Sequence, residues 1–315
     1  MTLAKMHYAR LAYVEETSFG VAPPSPQMRV LPLVEEDLTI QDRNFLSVKK
    51  GEERMLSVAS MGPLEAGGKL TLFLELESIG TLLKHALGSA VTVGSSTPYT
   101  HTLPGGSSLP PGLSIEKACL DIDRFLHFKG SRIDRLKLLF SPTGGPIVIE
   151  LDLMSKGVAI LPGPMASGVT DTQVLPLSYK LSLEEGGLIK DGLLGMELLI
   201  ENHLYREGYA LGSRERHFLG PGLRKVTGSL ILGIEDTGYF SKYLNLNTSS
   251  LKINVTAPLG DSLEVFLPRI VFTGKVKSVL GKGQSVQQTI PFLALKDEGL
   301  GTDIKVTLIN NQSHV

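Results

Sequence analysis

Short runs in which apolar and polar residues alternate recur along this chain, and they limit its fold more than any other feature. Residues 70–76, 251–255 and 304–308 alternate in this way, and residues 147–153 begin as an apolar run and end in alternation. Successive side chains of a β-strand point to opposite faces of the sheet, so a period of two predicts strands with one buried face. Glycine-rich turn signals separate the runs, which indicates a mainly β chain.

Helical patterns are confined to two short segments. Residues 78–87 place apolar side chains at helical spacing, and Gly88 follows them as a C-terminal stop. Residues 238–246 are a second short candidate. The sequence therefore predicts strands accompanied by a couple of short helices.

The order of these patterns indicates an internal repeat. Residues 68–75 and residues 228–235 both run from Gly through alternating apolar residues to Glu. Three further pairs of segments match in the same order: residues 51–56 with 212–219, residues 113–116 with 251–254, and Arg132-Ile133 with Arg269-Ile270. We interpret the series as an internal duplication, although β domains also share turn-and-alternation patterns by chance.

The length of 315 residues corresponds to about two domains of ordinary size. We predict a mainly β fold with two tandem β-barrel or β-sandwich domains related by internal duplication, each with a short flanking helix. The expected boundaries are residues 1–165 for the N-terminal domain, which includes an N-terminal arm and a long loop, and residues 166–315 for the C-terminal domain.

The long loop covers residues 88–112 and is rich in Ser, Thr, Gly and Pro. Loops longer than about 12–15 residues are uncommon in compact domains unless they are functional or disordered. Two interpretations stay open: a tolerated surface insertion, or an arm that docks on a neighbouring subunit.

Residue types that carry catalysis or bind metals are few and scattered. Cys119 is the only cysteine, which excludes an intramolecular disulfide and a multi-cysteine zinc site. The seven histidines form no metal-binding motif, and neither a nucleophile elbow nor a complete phosphate-binding loop is present. We therefore predict no enzyme activity, no metal and no cofactor.

The charge balance argues against a tight grip on nucleic acid. Lys and Arg total 31 and Asp and Glu total 32, whereas proteins that hold phosphates usually carry a basic surplus. No apolar run approaches the roughly 18 residues of a membrane span, so we expect no membrane association.

Four segments carry a resemblance to a known family. Residues 12–23, with the run Glu-Thr-Ser-Phe-Gly-Val-Ala-Pro, resemble the opening of phage tail tube proteins, where an extended segment of this kind precedes the first domain. Residues 66–71, 80–88 and 99–103 are similar to the middle of that family, where a strand, a short Leu-Leu helix and a Thr-His strand follow in order.

The resemblance implies a structural virion protein, the major tail tube subunit. Copies of such a subunit form rings that stack into a tube, and DNA passes through the lumen without specific binding. Most members have one domain and form hexameric rings, so a duplicated chain implies a ring of three chains, a trimer rather than a hexamer. The implied partners are further copies, tape-measure, tail terminator and baseplate proteins; the implied location is the virion tail, assembled in the host cytoplasm.

Stacking requires arms that reach from one ring to the next, and residues 45–67 and 205–227 are candidates beside the N-terminal segment and the long loop. The residues predicted for a subunit or ring-stacking interface are Phe45, Arg54, Met55, Leu56, Tyr99, His101, Tyr205, Arg214, Arg216 and Phe218. The main alternative is a non-catalytic β-sandwich binding module of a baseplate or adhesin-like assembly. A hydrolase with dispersed site residues is a third.

Overall fold

A computed structural model describes residues 8–43, 45–47, 58–141, 145–171, 180–233, 238–258, 260–274, 277–279 and 287–315. We call the described residues up to 171 the first half and those from 180 onwards the second half. The chain is mainly β, as predicted, with only two helices in the described residues, α1 (Ile79–Leu87) and α2 (Gly238–Leu244). Both helices lie where the sequence placed them.

The strands of the first half follow one another as β1 Ala9–Glu15, β2 Gln27–Val30, β3 Leu33–Asp42, β4 Phe45–Ser47, β5 Val58–Ser60, β6 Leu64–Phe73, β7 Val91–Val93, β8 Tyr99–Pro104, β9 Leu113–Cys119, β10 Arg124–Phe140, β11 Val148–Ser155, β12 Gly157–Leu161 and β13 Gly168–Thr170. Those of the second half are β14 Leu181–Glu185, β15 Leu188–Ile189, β16 Leu193–Glu201, β17 Lys225–Gly233, β18 Thr248–Thr256, β19 Ser262–Phe272, β20 Lys277–Val279, β21 Gln287–Ala294 and β22 Lys305–Asn310.

In the first half, the long strand β10 belongs to two sheets. Its first part pairs with β9 and β12, and its second part pairs with β11 and β16. Register shifts after Phe128 and after Ile133 mark bulges, which bend a strand and let it pass between sheets. The inner faces of both sheets contribute to a single apolar cluster, so this half is a β-sandwich.

One sheet, which we call the long sheet, runs through both halves in the order β3-β6-β11-β10-β16-β17-β21, with β19 and β20 paired to β21. The described pairings do not close this sheet on itself. The observed form is therefore a sandwich with an open sheet, and the described strands do not form a closed barrel.

The two halves share their strand registers residue for residue. Leu33 pairs with Leu72 ahead of a bulge, and 160 positions later Leu193 pairs with Leu232 ahead of a bulge at the same place. The β9–β10 bulge, where Phe128 faces Ile115, recurs between β18 and β19 in the same form. Internal duplication stays a proposal, and this agreement supports it.

The structural match differs by two residues from the sequence alignment at two places. The common bulge makes Ser249 the counterpart of Leu113, whereas the alternation had aligned Leu113 with Leu251. In the same way Val271, and not Arg269, takes the place of Arg132. A shift of two residues keeps every side chain on its own face of the sheet, so alternation alone does not detect it.

The long loop is an ordered insertion. Residues 89–112 have no counterpart between α2 and β18, and within them β7 and β8 form an antiparallel pair. Strand β8 also pairs with β22 of the second half along its whole length, from Tyr99 opposite Asn310 to Pro104 opposite Lys305. The insertion thus docks on the other half of its own chain.

Candidate assembly surfaces

The junction between the halves is a complete strand pairing. Strands β10 and β16 are antiparallel, and Leu136 lies opposite Ile200, with both side chains buried. On the other face of the sheet Arg135 contacts Glu201 at 2.9 Å. The junction therefore joins the apolar face of one half to that of the other and continues the polar face across the seam.

Both ends of the long sheet are open in the described residues. There β3 pairs only with β6, and β20 pairs only with β21. Ile40 on β3 is 45% exposed, whereas its counterpart Ile200 on β16 is 1% exposed because β10 covers it. The N–H of Leu38 donates to the Glu36 carboxylate at 3.0 Å, which occupies one outward donor of this edge. The open backbone groups of such an edge strand can pair with another chain, while the acidic run at residues 35–37 of β3 disfavours unspecific pairing.

The polar face of the long sheet carries mixed charge. Lys137 contacts Glu197 at 3.0 Å, and Arg135 lies 3.6 Å from Asp152. Lys69 lies opposite Asp37 on one neighbouring strand and opposite Asp152 on the other. Each of these three cations lies beside or opposite a carboxylate, so their charges are balanced locally on this face.

A buried polar contact holds the insertion on the second half. His101 is fully buried; its Nε2–H donates to Asn310 Oδ1 at 2.9 Å, and its Nδ1 accepts from the Thr92 hydroxyl at 2.8 Å. The Asn310 amide also donates to the Leu76 carbonyl at 2.8 Å. These bonds satisfy polar groups that would otherwise be costly to bury.

Helix α1 carries a charged cluster at its edge. The Glu15 carboxylate contacts Lys84 Nζ at 2.7 Å and His85 Nε2 at 2.8 Å. Burial raises the pKa of Glu15, but the hydrogen bonds from His85 and Lys84 outweigh it and hold the pKa at about 2. Burial lowers the pKa of His85 in spite of its carboxylate partner. The cluster fixes α1 against β1.

Three predicted interface residues of the second half, Tyr205, Arg214 and Phe218, lie in one exposed segment. Tyr205 and Phe218 stack with ring centroids 5.5 Å apart, and about half of each side chain is exposed. Arg214 forms an ion pair with Asp42 and donates to the Gly62 carbonyl, so it ties this segment to the first half.

The remaining predicted interface residues are buried, lie in other strands, or fall outside the described residues. Arg216 is buried and donates to the Ser155 carbonyl at 3.0 Å, and His101 is buried as described, so both serve contacts within the chain. Tyr99 begins β8, and Phe45 lies in β4, where it pairs with Ser60. Arg54, Met55 and Leu56 lie outside the described residues. A role of this set in an interface between chains stays a prediction.

Sequence reasoning did not find the exposed apolar residues of the sheet edge, of β12 and of α2. Their local sequence patterns are those of ordinary core residues, because the pattern around an apolar residue in a strand or helix does not depend on whether a neighbouring element covers that residue. The signal that reveals these exposed residues is that their counterparts in the other half are buried.

No helix in the described ranges is long and apolar enough to cross a membrane. The same ranges contain no group of three or more His, Cys, Asp or Glu side chains placed to hold a metal ion.

A mainly β sandwich whose long sheet ends, in the described residues, in unpaired edge strands defines a class of protein that can assemble by strand pairing. The model of the phage tail tube protein family matches residues 8–294. The match spans most of the chain, and the chain belongs to this family: it is a structural protein of the phage tail tube and a component of the virion tail. A search of curated proteins gives no match.

Proposed function

We propose that the chain is the major tail tube subunit, whose copies join into rings by strand pairing and stack into the channel for phage DNA. The β10–β16 pairing within the chain carries this proposal. Strand β16 is the counterpart of β3, and β20 pairs with β21 as the second part of β10 pairs with β11. The same pairing between β20 of one chain and β3 of the next would extend the long sheet around a closed ring.

The two matching halves favour a ring of three chains. Each chain then supplies two equivalent units, and three chains supply the six units of a hexamer-like ring. We keep the domain limits of 1–165 and 166–315 and the internal duplication as parts of this proposal. The equal registers and the common bulges support both.

We assign the polar face of the long sheet to the lumen. Its apolar face is buried in the sandwich, and a closed ring would turn the polar face inward or outward as one surface. Paired charges such as Lys137 with Glu197 leave no net attraction for phosphates, so DNA would slide through without being held. The protein acts without catalysis or cofactor.

Stacking and partner contacts complete the proposal. The stacked pair Tyr205 and Phe218 and the segments 45–67 and 205–227 are assigned to contacts between rings. The tape-measure protein would occupy the lumen before ejection, and the terminator and baseplate proteins would meet the two ends of the tube. Assembly takes place in the host cytoplasm.

Electron microscopy of the purified protein tests this function. At high concentration, or with the tail initiator complex of its phage, we expect tubes with a central channel, three-fold rings, and an axial repeat near 40 Å, estimated from strands of about 17–20 Å plus loops. A protein that stays monomeric under both conditions would contradict the proposal.

An edge-blocking variant tests the pairing itself. Leu38 N–H faces away from β6, so the N–H of Ile40, two residues on, faces the same open edge. Ile40→Pro removes that donor, and we expect a folded monomer that forms no rings. Ile40→Val keeps the donor and the β-branched shape and should assemble normally. Rings formed equally by Ile40→Pro would rule out closure through β3.

A further inference from the structure

Within the chain, the second half covers helix α1 of the first half. Eight of the nine residues of α1 are buried. Gly80 leaves room for the C-terminal segment: a Cβ at this position would lie 2.3 Å from Val315 and 2.9 Å from Leu308. Lys84 Nζ donates to the Val315 carbonyl at 2.8 Å, and Asn202 Nδ2 donates to the Ala86 carbonyl at 3.0 Å.

The counterpart helix α2 has no such cover. The register of 160 residues places Tyr239 and Tyr243 where α1 has Ile79 and Leu83, and both tyrosines pack on the apolar core as expected. The same count places Phe240, Leu244 and Leu246 at the outer positions, and they are 46%, 63% and 67% exposed. None of the residues of α2 is buried.

The strand that covers α1 also has an uncovered counterpart. Val306 on β22 is fully buried, and Leu308, two residues further on, reaches α1. The pairing of β12 with β10 repeats that of β22 with β19, and it puts Ile160 in the place of Val306. Ile160 is nevertheless 80% exposed.

The uncovered helix and the uncovered strand therefore lie on opposite halves. In one chain, the first-half helix meets the second-half strand, and both are buried. The second-half helix and the first-half strand are left over, and both expose apolar side chains that water would otherwise solvate at a cost. A single chain cannot bring these two surfaces together through the junction it already uses.

We propose that α2 of one chain docks on β12 of a second copy of the same chain, with Phe240 and Leu244 against Ile160. This inference rests on the proposed ring and names its outer contact, which lies beside the sheet pairing just as the α1 contact lies beside the β10–β16 pairing. Two observations identify a second copy as the partner. The two surfaces are the counterparts of surfaces that already meet within the chain, and they continue the junction between the halves. Pro162 follows Ile160 by two residues, as Leu308 follows Val306, so the bulky Phe240 in the place of Gly80 would face a proline where Gly80 faces Leu308.

Charge substitution on both surfaces tests the contact. Leu244→Glu and Ile160→Lys are each made in the full chain, together with the double variant, and the lowest protein concentration that gives rings or tubes is measured by sedimentation. Each single variant should raise this concentration about tenfold or more, because it buries an unpaired charge at the contact. The double variant places opposite charges against each other and should return it close to the wild-type value.

A control variant separates this effect from the mere addition of charge. Leu300→Glu adds a carboxylate at another exposed apolar residue, 55% exposed, in the turn between β21 and β22, and it should assemble as the wild type does. Circular dichroism and thermal unfolding should show all variants folded, since the substituted side chains are exposed.

The outcomes distinguish this inference from the proposed function. A wild-type chain that never assembles contradicts the ring, and the docking contact with it. Wild-type rings together with unimpaired single variants overturn the docking contact alone. Impaired single variants without recovery in the double variant overturn β12 as the occupant.

Discussion

The two halves of the chain have the same strand registers but different exposed surfaces. Helix α1 is buried beneath the second half, while α2 shows Phe240 and Leu244 to solvent. On the polar face, Lys69 of the first half has Ser229 as its counterpart, so this position is charged in the first half and neutral in the second. This difference shows that the alternating pattern sets how each half folds, whereas the side chains on its exposed surfaces set which other surfaces it can contact.

The largest expected effect is a loss of stability when either of two counterpart glycines of the long sheet is replaced by alanine. A Cβ at Gly68 would lie 1.8 Å from the Asp37 carbonyl oxygen, and its φ of +149° is rarely adopted by other residues; at Gly228 the Cβ would lie 2.3 Å from the Glu197 oxygen, without a positive φ. Gly68→Ala should lower the free energy of unfolding by at least about 4 kcal/mol and Gly228→Ala by about 2–3 kcal/mol. Urea unfolding measures both; equal and small losses would show that the close approach of the strands does not constrain this position.

A smaller loss of stability is expected for a substitution in α1 than for those glycines, and it should exceed the loss for a substitution at the same place in α2. Gly80→Phe gives α1 the residue that α2 carries at the same place, and the ring would collide with Val315 and Leu308. We expect a loss of about 2–3 kcal/mol from overpacking, whereas Phe240→Ala in the monomer should change stability by less than about 0.5 kcal/mol. Thermal unfolding of the monomer provides the comparison. A large loss in Phe240→Ala would mean that α2 is covered within its own chain.

The smallest effect concerns the charged cluster of α1. In the second half Leu244 takes the place of Lys84, and it is Lys242 of α2 that contacts a carboxylate, that of Glu185, at 2.7 Å. The pKa of Glu15 falls from 4.5 to about 2 on folding, so the carboxylate stabilises the fold above pH 4.5 and the contribution disappears as the pH falls to about 2. With 36% of the side chain exposed, screening reduces the contribution to about 1 kcal/mol. Glu15→Gln should therefore be less stable than the wild type at pH 7 and equal to it near pH 2.

Urea unfolding of both proteins across this pH range checks the prediction. Thr17→Ser, on the exposed turn that follows β1, is a control that leaves the cluster intact and should show the wild-type pH dependence. A difference between Glu15→Gln and the wild type that stays constant down to pH 2 would show that the carboxylate acts by shape and not by charge.

Several elements could be predicted from the sequence because their signals are local. The alternation at residues 251–255 and 304–308 indicated β18 and β22, and helical spacing followed by Gly88 indicated α1. The motifs at residues 12–23 indicated the family that the comparison then showed. The insertion at residues 88–112 was visible as a length and a composition, and only the resemblance at residues 99–103 indicated its strand β8. The pairing of β8 with β22 could not be predicted, because the two strands lie some two hundred positions apart.

The candidate site was less accessible to sequence reasoning. Exposure of Ile40 and Ile160 depends on which strand lies beside them, and their buried counterparts Ile200 and Val306 are equally apolar. The sequence analysis predicts His101 at an interface between subunits, but the fold buries its side chain between the insertion and Asn310.

The sequence by itself determined the class of fold and the family, and it predicted an internal duplication, because periodicity, turn residues and short motifs are properties of neighbouring positions. Only the tertiary structure decided the register of the repeat, since a shift of two residues leaves every strand face unchanged. It also decided which of two equivalent helices is covered, because burial depends on the partner that long-range pairing brings to each surface.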